Sequence, residues 1–142
     1  MTILDHCNVR TFDLEKTVKF YTDIVDLKDG DFPGSRAQGA WLYDASNRPI
    51  LHLIAIDPQD PEATLGKVRD RLGDLAGSLE LATLSGGGAI DHIAFECTDY
   101  DEMEGKLKAR GLKYTSNDVP MIKLRQLFVN DPNGVTLELN FR

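Results

Sequence analysis

The sequence predicts an α+β fold made of two tandem βαβββ modules that form a cupped mixed β-sheet with the helices outside. Three observations carry this. The chain repeats itself at an offset of 86 positions, the strand and helix signals run in the same order in both copies, and a segment of different character separates them. At that offset Leu4-Asp5-His6 falls on Ile90-Asp91-His92, Asp13 on Asp99, Leu14 on Tyr100 and Tyr21 on Leu107. Further along, Asn47 falls on Asn133, Leu51 on Leu137, His52 on Glu138 and Leu53 on Leu139, so one offset serves both ends of the repeat.

The elements follow in chain order. Residues 3–9 read as a strand, and residues 13–25 as a helix with Asp13 at its N-cap and Leu14, Val18, Tyr21 and Val25 on one stripe. Three short strands follow, at about 27–32, 38–43 and 50–56. The second copy opens with a strand at 90–96 and a helix at 99–110. That helix has a capping-box pattern, Asp99 and Glu102, and a terminating Gly111. Its three strands lie at about 113–118, 123–129 and 135–141, with Asp131-Pro132-Asn133-Gly134 as a turn between the last two. The 142 residues suffice for one domain, 1–142, divided into modules 1–56 and 90–142. The connector 57–89 holds Pro58, Pro61, the triplet Gly86-Gly87-Gly88 and an apolar stripe of Leu65, Val68, Leu72, Leu75 and Leu79. It reads as a flexible linker with one short amphipathic helix, or as a lid or dimer contact.

Composition excludes several classes. Net charge is −7 and the pI about 4.9, which argues against nucleic-acid binding, since phosphate-binding surfaces need clustered Lys and Arg. No signal peptide is evident at the N-terminus, and the longest apolar run, residues 50–56, is too short to span a bilayer. Cys7 and Cys97 form no metal-binding pair in sequence. A cytoplasmic protein with reduced thiols and no membrane partner is expected.

Strand alternation suggests where the chemistry lies. In each opening and closing strand one set of alternate residues faces the helix and the other faces away. His6, His52, His92 and Glu138 all fall on the outward set, and they account for all three histidines of the chain. A pseudo-twofold relating the copies would bring the four together. A single His in an apolar strand is more often a hydrogen-bonded core residue. A carboxylate between Leu137 and Leu139, however, needs a partner. Asn8 shares the face of His6; Trp41 and Tyr43 alternate on a neighbouring strand, and Arg125 offers a cation for an anionic substrate.

This constellation resembles the vicinal oxygen chelate superfamily, which includes glyoxalase I, extradiol dioxygenases, methylmalonyl-CoA epimerase, and bleomycin- and fosfomycin-resistance proteins. The resemblance rests on Leu-Asp-His-Cys-Asn-Val at the start, Ile-Asp-His-Ile-Ala-Phe at the second opening, and Asn-Asp-Pro-Asn-Gly-Val-Thr-Leu-Glu-Leu at the close. It implies a divalent metal, such as Fe(II), Mn(II) or Zn(II), held by His6, His92 and Glu138, the set found in dioxygenases and fosfomycin-resistance proteins. His52 stands where glyoxalase I and the epimerases carry Glu or Gln, and is read as an acid–base group. The implied function is a metal-dependent enzyme that chelates neighbouring oxygens of a small substrate, inclined toward an extradiol-type oxygenase. A glyoxalase- or epimerase-type lyase or isomerase is the alternative, and a ligand-sequestering protein the second. A homodimer is the expected assembly.

Overall fold

A computed structural model describes residues 1–77 and 79–142. The chain forms two compact units, Met1–Ser85 and Gly86–Arg142.

The first unit runs β1 (Cys7–Thr11), α1 (Leu14–Asp23), β2 (Lys28–Gly30), β3 (Gly39–Tyr43), β4 (Pro49–Ala55) and α2 (Pro61–Leu72). Its sheet has the order β1-β4-β3-β2, with β1 parallel to β4 and the other pairs antiparallel. The second unit runs β5 (Ile93–Cys97), α3 (Tyr100–Ala109), β6 (Tyr114–Val119), β7 (Leu124–Asn130) and β8 (Thr136–Phe141), and its order β5-β8-β7-β6 is the same topology. The predicted βαβββ module therefore occurs twice, each copy with its own four-stranded mixed sheet.

Register extends the repeat to atomic detail. β1 pairs with β4 as Cys7↔Leu51 and Asn8↔His52; β5 pairs with β8 as Ile93↔Leu137 and Ala94↔Glu138. Both members of each pair are displaced by the same 86 positions. The third strand departs from this by one residue. Trp41 lies opposite His52 and Phe128 opposite Glu138, a displacement of 87. The turns show the same shift. Asp44 accepts backbone hydrogen bonds from Ser46 and Arg48, as Asp131 does from Asn133 and Val135. Asn47, at φ +60°, thus matches Gly134, at φ +81°, and not Asn133. The ungapped alignment is corrected here: a bulge between Leu42 and Tyr43 leaves Ile50 as an extra residue in β4 and restores the 86-residue offset. Asn and Gly are the residues that tolerate the left-handed turn position, so identity at Asn47 and Asn133 was a poor guide.

Each helix starts on a carboxylate cap. Asp13, Asp60 and Asp99 accept hydrogen bonds from the backbone N–H groups of Lys16, Ala63 and Glu102. α1 packs Thr17, Val18, Phe20 and Tyr21 toward Val9, Ala40, Leu42, Leu51 and Leu53, all buried. Its hydroxyl pair Thr11–Thr17, 2.9 Å apart and buried, ties the helix to β1. In the second unit Met103 and Leu107 of α3 join Leu127, Val129, Leu137, Leu139 and Phe141. The segment after β4 is more than a linker. Leu65 and Val68 of α2 are buried, Leu65 in a cluster with Ile56, Leu84 and Leu79. Leu75, on the expected stripe, is 86% exposed, because Gly73 ends the helix before it with φ +55°. Among the described residues no helix is long and apolar enough to cross a membrane. Cys7 and Cys97 are not joined in a disulfide.

Candidate metal and catalytic site

The register just described decides which residues share a face. Paired residues in neighbouring strands project to the same side. Asn8, His52 and Trp41 are one such row, and Ala94, Glu138 and Phe128 its counterpart. The opposite faces carry the buried Leu51–Leu53 and Leu137–Leu139 pairs against the helices.

In the first unit the row is a stack of rings. His52 lies between His6, with centroids 3.8 Å apart, and Trp41, at 4.3 Å, all within 16° of parallel. His52 Nε2 is buried and has no hydrogen-bond partner. Burial, and then the neighbouring His6 charge, lower the His52 pKa and favour the neutral ring; a backbone hydrogen bond at Pro49 acts in the opposite direction. His6 sits just before β1, and its Nδ1 pairs with the carboxylate of Asp5.

The second unit repeats the plan with a carboxylate. His92 sits just before β5, and its Nδ1 lies 2.7 Å from Asp91 Oδ2. Its Nε2 lies 3.1 Å from Glu138 Oε2. The Asp91 hydrogen bond, then the Glu138 charge, raise the His92 pKa. Glu138 is the more buried of the pair, its side chain 14% exposed against 34% for His92. Its other oxygen, Oε1, accepts a hydrogen bond from Asn140 at 2.8 Å.

Among the described residues no three His, Cys, Asp or Glu side chains converge, so the donors stand in pairs within each unit. The His92–Glu138 pair nonetheless suits a divalent ion. Two ligands each about 2.1 Å from one ion, at a right angle, lie about 3 Å apart, and the His92–Glu138 separation matches this. Each opening histidine has Nδ1 engaged by the aspartate before it, which turns Nε2 away from that carboxylate, in His92 toward Glu138; metal-binding imidazoles are commonly oriented this way.

Two other expected residues lie elsewhere. Tyr43 projects two residues along from Trp41, but its ring covers Gly30 and its hydroxyl donates to the Asp31 carbonyl at 2.7 Å. Arg125 is not brought to the face of Glu138. It pairs in register with Phe141, on the helix side, and its guanidinium lies 3.4 Å from the centroid of the Tyr100 ring. Sequence reading passed over the amides Asn117, Gln126 and Asn140 and gave no role to Asp5 and Asp91. The available signal was polar residues alternating with Leu and Phe in the last two strands.

Comparison with known proteins agrees with this architecture. The family model described as Glyoxalase/Bleomycin resistance protein/Dioxygenase superfamily matches residues 3–139. A protein of Arabidopsis thaliana, "Glyoxylase I 4", is 26% identical over 144 residues, covering 98% of this chain and 70% of its own length. Among solved structures, the fosfomycin resistance protein FosX of Listeria monocytogenes superposes with a TM-score of 0.65 at 19% identity, over 100% of this chain and 94% of that one. Lactoylglutathione lyase of Agrobacterium tumefaciens gives 0.60 at 16% identity, over 99% and 94%. With the family model spanning nearly its whole length, the chain belongs to the Glyoxalase/Bleomycin resistance protein/Dioxygenase superfamily.

Proposed function

We propose that this chain is a metal-dependent enzyme in which His6, His92 and Glu138 hold one divalent ion and His52 moves a proton. The observation that carries the reading is the repeated donor pair. His6 with His52, and His92 with Glu138, occupy equivalent positions, and each opening histidine is turned by its own aspartate. When bound, the ion would supply Lewis-acid polarisation of two neighbouring substrate oxygens. His52 would act as the base. Its neutral ring is held by both faces, so the edge nitrogen Nε2 is fixed and free of protein partners. Asn8, exposed and opposite His52 in the β1–β4 register, would orient substrate.

Of the reaction classes, this reading favours lyase or isomerase chemistry by proton transfer, because a neutral, unpartnered imidazole suits it and because relatives include proteins named glyoxylase I and lactoylglutathione lyase. The oxygenase reading has one supporting observation: a two-His-one-carboxylate set also suits oxygen-activating Fe(II). Two assays on metal-loaded protein separate them. Turnover of lactoylglutathione without oxygen uptake supports proton transfer. Oxygen uptake with a catechol panel, lost in Glu138→Ala, supports the oxygenase. Neither activity in protein of full metal content contradicts both.

A further inference from the structure

Glu138 ends a row of side-chain amides that crosses the second sheet. Asn117 Nδ2 donates to Gln126 Oε1 at 2.7 Å, Gln126 Nε2 donates to Asn140 Oδ1 at 3.0 Å, and Asn140 Nδ2 donates to Glu138 Oε1 at 2.8 Å. Gln126 and Asn140 are each only 8% exposed. The polarity of the row follows from its end. An ionised carboxylate only accepts, so Asn140 must turn its NH2 toward Glu138 and its carbonyl toward Gln126, and Gln126 must follow.

The first unit has no such row. The pair equivalent to Gln126↔Asn140 is Gly39↔Ile54, which offers no side-chain hydrogen bond. There the last-strand group is His52, held by ring faces, with Nε2 unpartnered. A carboxylate has no faces to stack on and is fixed by hydrogen bonds to its oxygens. Buried amides are unfavourable unless paired, so two of them, Gln126 and Asn140, at the position where the other unit has Gly39 and Ile54 call for a role.

We infer that Asn140, supported by Gln126, is a positioning residue for Glu138. It occupies Oε1, leaving Oε2, beside His92 Nε2, as the one oxygen free to bind a cation. Glu138 then ligates through a single oxygen. This rests on the metal reading proposed above.

Co(II) titration of the full chain tests it, with affinity read by calorimetry, coordination by the visible spectrum, and folding by circular dichroism. In Asn140→Leu, affinity falls about 10- to 100-fold, as is typical when a group supporting a ligand is lost, and the spectrum changes because the freed carboxylate can bind through both oxygens. Gln126→Met moves both readouts the same way by less. The inference is overturned if both variants, folded, keep wild-type affinity and spectrum while Glu138→Ala loses Co(II). If Asn140→Leu does not fold, wild-type behaviour of Gln126→Met overturns it alone. Co(II) uptake that is equal in wild type and Glu138→Ala, or absent from both, overturns the metal reading and this inference with it.

Discussion

His52 stacks on His6 and Trp41 through its ring faces, and its Nε2 has no hydrogen-bond partner. A phenyl ring at this position can keep the stack and remove the nitrogen. His52→Phe is therefore expected to retain metal and fold, and to lose turnover by about 100- to 10,000-fold if the imidazole performs acid–base work. Metal content and rate measured on the same preparation decide this. Loss of metal would make His52 a ligand, and an unchanged rate would make it a packing residue. At this scale the sequence was informative about residue type and less so about direction. The three histidines and Glu138 were legible because they recur in register. The face of Arg125 was not legible, because a charge in a strand says nothing about which side it takes; register with Phe141 puts it on the helix side, over the Tyr100 ring.

Among the elements, α2 departs most from the expected linker. The stripe of Leu65 and Val68 was read correctly as a helix face, but not that Ile56 and Leu84 would enclose it. Leu65 is fully buried, so Leu65→Ala should lower unfolding stability by about 2–5 kcal/mol, measured by urea denaturation, through lost apolar contact and the cavity left behind. A change below about 0.5 kcal/mol would return the segment to a loosely attached connector. Strand boundaries were legible to within a few residues, except at the two openings. His6 and His92 precede β1 and β5 and do not lie within them. Periodicity carries no signal for where ladder pairing starts, because the side chains before a strand can continue its alternation. The bulge at Ile50 was likewise invisible, since one extra residue shifts the pattern of a short strand without breaking it.

For the whole molecule, the repeat is the organising fact. Two units with one topology and one register place a histidine before the first strand and a donor in the last strand, twice over. The family and the module were legible from this repeat, because a repeated fold must keep its hydrophobic register even when identity is low. The metal and the reaction were not, since several divalent ions accept the same ligands. The central proposal is that His6, His92 and Glu138 are ligands to divalent metal. Metal analysis of protein purified without added metal, comparing wild type with His6→Ala, His92→Ala and Glu138→Ala, tests it most directly. The account predicts about one ion per chain in the wild type and a strong loss in every variant, because packing cannot replace a lost ligand. Full metal content in all three variants, with folding intact, would contradict it.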